Sequence, residues 1–244
     1  MYNGNLTYRS VGRTHRGKVR RLNEDAFLER VDIGLFAVAD GMGGHQRGDV
    51  ASARIVDGLE AIAVPSDGRA FLAAVKTTLQ QANEELYQQG AAISDDQTMG
   101  ATVVTMIVIE DHFACLWAGD SRLYRFRGGR AELMTKDHSF VQELVDTGDL
   151  SEEDAEDHPM RNVITRAIGA HGGTELDTCH GAVEPGDVFL LATDGVTNVC
   201  SSEELAQLIA GNDLAEAADQ IVLLCLERGA PDNLSLVIVE SASA

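Results

Sequence analysis

Three short apolar runs in this 244-residue chain end in an aspartate beside a turn residue, and a fourth aspartate opens a last apolar run. The four residues are Asp40, Asp120, Asp194 and Asp232. Short apolar runs with β-branched and aromatic members are typical of buried strands, so these carboxylates would lie at the rim of a core. Brought together there, they would repel one another unless a cation held them. The pattern predicts a carboxylate-built metal site, which suggests an enzyme.

The donor type indicates which metal such a site would take. Glu24 and Asp25 add two more carboxylates, and oxygen-only ligands favour hard divalent ions such as Mg²⁺ or Mn²⁺. Zinc would be expected with His or Cys ligands, and neither a C-x-x-C nor an H-E-x-x-H spacing occurs. Several carboxylates can hold two ions roughly 3.5–4 Å apart, a pair that clamps a phosphate and generates hydroxide at neutral pH. A single Asp-Gly pair more often marks a turn than a ligand, but four strand-end aspartates favour the metal site.

Two further residues are candidates for catalysis. Arg20 lies just before Glu24 and Asp25 and could hold a phosphate through both ends of its guanidinium, although on its own it would be one of several surface cations. His45 follows a glycine pair and could titrate near neutral pH, although a histidine there is otherwise a polar loop residue. The chain has no nucleophile elbow, S-x-x-K, P-loop or kinase motif. If it is a hydrolase, water on a metal is the best available nucleophile.

The composition limits which partners the protein could bind and indicates the cellular compartment in which it would work. The formal net charge is −20, which argues against nucleic acid or an anionic membrane as a partner. Four cysteines without a C-x-x-C pair indicate a reducing, cytoplasmic setting. No signal-peptide h-region is present, and no apolar stretch approaches the roughly 18 residues that a membrane span needs.

Elements that could position these carboxylates alternate between strands and helices. Two links between strand-like runs, at Glu110-Asp111 and Gly128-Gly129, are short enough to imply antiparallel pairing. Helical spacing appears around Ile55, around Leu79 with a start at Ser66 or Asp67, from Ser201 or Ser202 onward, and around Ile221. The strand-like runs are Leu6–Val11, Ile33–Ala39, Thr102–Ile109, Phe113–Ala118, Leu123–Arg127, Val188–Thr193 and Leu234–Val239.

This order predicts an α+β layered sandwich, with sheets covered by helices, in a single domain spanning residues 1–244. The polar stretch at about 137–174 carries one short helical patch that ends at Gly148. An insertion of this length usually covers or flanks a site. An ordinary surface excursion is the equal alternative.

Several of these segments occur together in the order of a known family. The chain resembles the metal-dependent serine/threonine protein phosphatases (type 2C, the PPM family) in their bacterial form. The similarity extends from Arg20 to Val239. The segments that carry it are Arg20-x-x-Asn23-Glu24-Asp25, Val38-Ala39-Asp40-Gly41-Met42-Gly43-Gly44-His45, Met99-Gly100-Ala101-Thr102, Gly119-Asp120-Ser121-Arg122, Ala192-Thr193-Asp194-Gly195 and Asp232-Asn233.

The resemblance implies a four-layer α-β-β-α sandwich and two Mn²⁺ or Mg²⁺ ions bridged by Asp40. A bridging hydroxide would attack phosphorus in line, without a covalent enzyme intermediate, and the polar insertion would be a mobile flap beside the active site. The roles implied for the other residues are Asp194 and Asp232 as ligands of one ion, Glu24 and the Gly41 carbonyl at the other, Asp120 at a third and weaker ion, Asp25 orienting metal-bound water, and Arg20 binding the substrate phosphate.

One departure leaves the proton donor to the leaving group open. Many eukaryotic members carry a histidine where this chain has Met42, so the donor is either His45 or water on a metal. The resemblance implies a phosphorylated protein as substrate, with a bacterial Ser/Thr kinase or its targets as partner. A monomer is the default expectation for the oligomeric state. A non-catalytic phosphoprotein-binding module and a hydrolase of small phosphoesters are the alternatives.

Overall fold

The computed structural model describes residues 6–43, 47–92 and 99–244, and these residues form two antiparallel sheets and seven helices. The strands are β1 (Leu6–His15), β2 (Asp25–Arg30), β3 (Leu35–Gly43), β4 (Met99–Ala101), β5 (Val103–Ile109), β6 (His112–Ala118), β7 (Arg122–Arg127), β8 (Arg130–Leu133), β9 (Asp177–Ala182), β10 (Val188–Ala192) and β11 (Leu234–Ser243). The helices are α1 (Gly48–Glu60), α2 (Gly68–Ala91), α3 (Phe140–Thr147), α4 (Glu152–Glu156), α5 (Asp194–Thr197), α6 (Ser202–Gly211) and α7 (Leu214–Glu227).

The two sheets have different strand orders, which the sequence pattern did not provide. One sheet runs β1-β11-β10-β7-β8, and the other runs β2-β3-β5-β6-β9 with β4 paired to β3. The predicted antiparallel links are confirmed, because β5 pairs with β6 and β7 pairs with β8.

Alternation along the strands divides the apolar side chains among three clusters. Phe36 and Val38 of β3 join Phe189 and Val237 between the two sheets. Side chains at the alternate positions of the same strand, such as Leu35, face the opposite side of the sheet, toward α1 and α2. A third cluster lies between the first sheet and the helices α6 and α7. The layers are therefore helix, sheet, sheet, helix, which confirms the predicted α-β-β-α sandwich.

The helix starts follow the side-chain signals in the sequence. Asp67 caps α2 by accepting a hydrogen bond from the amide of Ala70. Ser201 and Glu204 form a reciprocal capping box at the start of α6. Gly148 ends α3 with a φ of 80°, a left-handed conformation that glycine adopts readily. No helix in the described part of the chain is long and apolar enough to cross a membrane.

The segment from residue 137 to residue 174 contains α3 and α4 and returns to the body of the protein. Ile168 bridges Ala101 and is fully buried. The buried Asn83 of α2 donates to the carbonyl of His171 and accepts from the amide of Gly169. The end of this segment is therefore packed into the core of the protein.

Candidate active site

Five aspartates from five separate segments lie around one rim of the sandwich. Asp25 of β2 and Asp40 of β3 are direct partners in the antiparallel register. Asp120 follows β6, Asp194 begins α5 immediately after β10, and Asp232 precedes β11. All four of the others act electrostatically on Asp40. The structure thus brings together the strand-end carboxylates that are far apart in the sequence.

The proximity of these carboxylates opposes their ionisation. Burial raises the pKa of Asp25 to about 7, and repulsion from Asp194 and Asp232 adds to the rise. Burial likewise raises the pKa of Asp120 to about 7, with a contribution from Asp194. Burial raises the pKa of Asp40 well above its ordinary value, and Asp25 is the largest of the neighbouring charges that add to this. Such a cluster is stable in its charged form only with a compensating cation.

Three oxygens of this cluster are suited to a cation. Oδ1 of Asp25, Oδ1 of Asp120 and Oδ1 of Asp194 are all buried and have no hydrogen-bond partner. Buried polar atoms are normally hydrogen-bonded, so an unpartnered carboxylate oxygen needs an explanation such as an ion. Among the described residues, no group of three or more Asp, Glu, His or Cys side chains already has the arrangement of a metal site. The fit to a hard divalent cation therefore lies in the donor type and in these three oxygens.

Glu24 and Gly41 form a second group of oxygens, beside the start of α1. The amide of Gly48 donates to Glu24 Oε1 at 3.2 Å, and the amide of Gly41 donates to the Glu24 carbonyl at 3.0 Å. A Cβ atom added to Gly48 would lie 2.6 Å from the Gly41 carbonyl oxygen and 2.7 Å from Glu24 Oε1. The two predicted ligands of one ion therefore lie side by side, and only glycine at position 48 leaves room for them.

Gly48→Ala is expected to weaken divalent-metal binding while the chain still folds. Alanine normally favours a helix over glycine by about 1 kcal/mol, but here its methyl group would displace Glu24 Oε1 and the Gly41 carbonyl. We expect the affinity for Mn²⁺ to fall at least about 10-fold, which is the usual loss when a residue that orients a metal ligand is replaced. Calorimetric titration measures this affinity. Gly58→Ala in the same helix is the control, because its Cβ would meet only side-chain atoms of Arg54 and Thr78. Unchanged affinity in Gly48→Ala would contradict this arrangement.

Arg20 lies at the exposed edge of the carboxylate cluster. Its Nη2 donates to Asp232 Oδ2 at 2.6 Å, and about half of its side chain is exposed. The guanidinium therefore stands between the cluster and solvent, where an incoming anion would meet it first.

Several polar residues that hold the acidic residues in place received no role from the sequence. Thr193 Oγ1 donates to Asp25 Oδ2 at 2.9 Å. The amide of Thr102 donates to the Asp40 carbonyl, and its hydroxyl pairs with Ser121 at 2.8 Å. Asn233 accepts from the amide of Glu24 through its side chain. Each of these residues occurs inside one of the short motifs, which is the only signal that could have indicated them.

The sequence offers two candidates for the proton donor, His45 and water on a metal. His45 and its neighbour Gly44 lie outside the described residues. Met42 pairs with Gly100 in the β3–β4 ladder, and its Cε lies over that glycine. His138, to which the sequence gave no role, accepts a hydrogen bond from the amide of Gly119 next to Asp120.

Comparison with known proteins identifies a family. The model of protein phosphatase 2C matches residues 11–235. The serine/threonine phosphatase stp of Listeria monocytogenes is 34% identical over 236 residues, which cover 93% of this chain and 94% of the relative.

Solved structures agree with this assignment. PppA of Pseudomonas aeruginosa, described as a key regulatory component of T6SS, is 42% identical with a TM-score of 0.90 over 97% of this chain and 100% of that one. The catalytic domain of the phosphatase PstP, in complex with two manganese ions, is 32% identical with a TM-score of 0.86 over 97% and 99% of the two chains. The chain therefore belongs to the protein phosphatase 2C family and is a serine/threonine protein phosphatase.

Proposed function

We propose that the acidic cluster around Asp40 holds two Mn²⁺ or Mg²⁺ ions and that the enzyme uses them to hydrolyse phosphoserine and phosphothreonine in proteins. The observation that carries this proposal is the convergence of Asp25, Asp120, Asp194 and Asp232 on the buried Asp40, with a buried, unpartnered oxygen on each of the first three. The two manganese ions in the PstP structure support it.

The ligands would divide between the two groups of oxygens described above. Asp194 and Asp232 would hold one ion, Glu24 and the Gly41 carbonyl would hold the other, and Asp40 would contribute to both. Asp120 would hold a third, weaker ion. When bound, such a pair supplies a hydroxide nucleophile at neutral pH and Lewis acidity toward the phosphate.

The remaining chemistry falls to Asp25 and Arg20. Because Asp25 Oδ2 accepts from Thr193, its free Oδ1 would orient the attacking water. Arg20 would exchange its contact with Asp232 for the substrate phosphate, which a guanidinium binds through two parallel hydrogen bonds. The leaving serine or threonine oxygen must gain a proton, from His45 or from water at the cluster.

The biological setting follows from the substrate. Phosphoserine and phosphothreonine are products of protein kinases, so the enzyme would oppose a bacterial Ser/Thr kinase, consistent with its bacterial relatives. We further propose a monomeric, cytoplasmic enzyme in which residues 1–244 form one domain and residues 137–174 flank the active site as a flap.

Hydrolysis of a phosphothreonine peptide and of p-nitrophenyl phosphate, with Mn²⁺ or with EDTA, tests this function. We expect phosphate release from both substrates with Mn²⁺ and its loss in EDTA, with recovery when excess Mn²⁺ is added back. Equal rates with and without metal would reject the mechanism. Hydrolysis of p-nitrophenyl phosphate alone would reject proteins as the substrate.

A further inference from the structure

One stretch of this acidic protein has the opposite charge. Residues 13–22 contain five of the 19 Lys and Arg residues and no Asp or Glu, whereas the whole chain carries a net charge of −20. The stretch includes the first seven residues of the connection from β1 to β2, Arg16–Leu22, which we call the basic loop; Asn23 and Glu24 complete the connection. Its cations are Arg16, Lys18, Arg20 and Arg21.

The backbone of the basic loop is fixed against the segment that carries Asp232. The amide of Lys18 donates to the carbonyl of Ala230 at 3.0 Å. The side-chain amide of Asn233 donates to the carbonyls of Arg16 and Leu22, both at 2.8 Å. Gly17 permits this contact: its φ is +75°, and a Cβ there would lie 2.1 Å from the Asp232 carbonyl oxygen. The loop is therefore held rigidly beside a predicted metal ligand.

The side chains of the loop are nevertheless exposed. Arg16, Lys18, Arg20 and Arg21 all project toward solvent. Arg20 pairs with Asp232, and Arg16 donates to the carbonyl of Arg21. No described acidic side chain forms an ion pair with Lys18 or Arg21, although the chain has 39 acidic residues for 19 basic ones. Where acidic groups are so abundant, two cations on a fixed backbone without acidic partners indicate a surface that meets an external anion.

We propose that the basic loop binds acidic residues that flank the phosphorylated serine or threonine, so that the enzyme prefers phosphosites in an acidic sequence context. The inference rests on the proposed function, in which Arg20 receives the phosphate. Lys18 and Arg21 lie two residues and one residue from Arg20, and an extended peptide advances about 3.3 Å per residue. Side chains within a few positions of the phosphorylated residue would therefore lie over the loop. The acidic surface elsewhere would repel the same peptide and confine its binding to this loop.

Two phosphothreonine peptides of equal length, one flanked by Glu and one by Gln, test the preference. The readout is the acidic-to-neutral ratio of kcat/KM, with each rate normalised to p-nitrophenyl phosphate hydrolysis by the same variant. We expect a ratio above one for the wild type. It should fall about two- to five-fold for Lys18→Ala or Arg21→Ala, more for the double variant, and be retained in Lys18→Arg. It should also approach one in 1 M salt, where the screening length is about 3 Å.

Arg130→Ala is the matched control, because Arg130 is an exposed cation at the far end of the β7–β8 hairpin from Asp120. The proposal would be overturned by an acidic-to-neutral ratio of one in the wild type. It would also be overturned if the double variant left the ratio unchanged, or if Arg130→Ala lowered it as much as the loop variants do. The proposal would also be overturned if the wild type bound phosphatidylglycerol vesicles, the double variant lost that binding, and the peptide ratio was the same in both. The loop would then bind a membrane surface. If the wild type hydrolyses neither peptide nor p-nitrophenyl phosphate with Mn²⁺, the proposed function fails, and this inference fails with it.

Discussion

Asp194→Asn and Asp232→Asn are each expected to abolish turnover in a chain that still folds. Asparagine keeps the size of aspartate and one of its oxygen acceptors, but it removes the negative charge that would balance a divalent cation. Asp194 Oδ1 is buried without a hydrogen-bond partner, so the substitution breaks no hydrogen bond at that oxygen. Loss of support around a metal ligand alone costs about 10–100-fold in affinity or activity. We therefore expect kcat/KM to fall by at least about 100-fold.

The measurement is phosphate release from a phosphothreonine peptide over a range of Mn²⁺ concentrations, with circular dichroism to confirm folding. Asp219→Asn is the matched control, because Asp219 is an exposed aspartate of α7 that pairs with Arg13 away from the cluster. Near-normal activity in both active-site variants would remove Asp194 and Asp232 from the ligand set. Equal loss in Asp219→Asn would show that the effect is not specific to the cluster.

The layers and much of the site could be predicted because their signals are local. Apolar runs located β3, β10 and β11 and thus put Asp194 and Asp232 beside strand ends, whereas β3 continues through Asp40 to Gly43. Caps such as Asp67 and Ser201 placed two helix starts within one residue. The grouping of the aspartates was then inferred from their repetition, since four aspartates beside apolar runs in one chain favour a shared metal site over four separate turns.

What could not be predicted depends on contacts between distant segments. β2 was missed because Asp25, Glu29 and Arg30 make it look polar, and it is a strand only through its pairing with β3. The same holds for Gly48, whose importance comes from two oxygens that approach it from β3 and from Glu24. A sequence pattern records which residues alternate, but it does not record which backbones come within van der Waals distance.

Asp40→Asn is expected to inactivate the enzyme yet stabilise the metal-free chain at alkaline pH. The pKa of Asp40 is raised well above its ordinary value, first by burial and then by repulsion from Asp25 and the other aspartates. The folded state therefore holds this proton more tightly than the unfolded state does. Its contribution to the free energy of unfolding is fully present below a pH of about 4 and is lost as the pH rises through the folded-state pKa.

Asparagine resembles the protonated carboxyl group and carries no such pH-dependent loss. In EDTA we expect the variant to gain about 0.5–2 kcal/mol over the wild type at pH 8, and the gain should shrink toward pH 5, as measured by urea unfolding. Asp32→Asn is the control of opposite sign, because the hydrogen bond from Arg30 lowers the pKa of Asp32, so its replacement should bring no gain at pH 8. Mn²⁺ should then stabilise the wild type but not Asp40→Asn. A variant less stable than the wild type at pH 8 in EDTA, or equally stabilised at both pH values, would show that repulsion around Asp40 does not limit the metal-free fold.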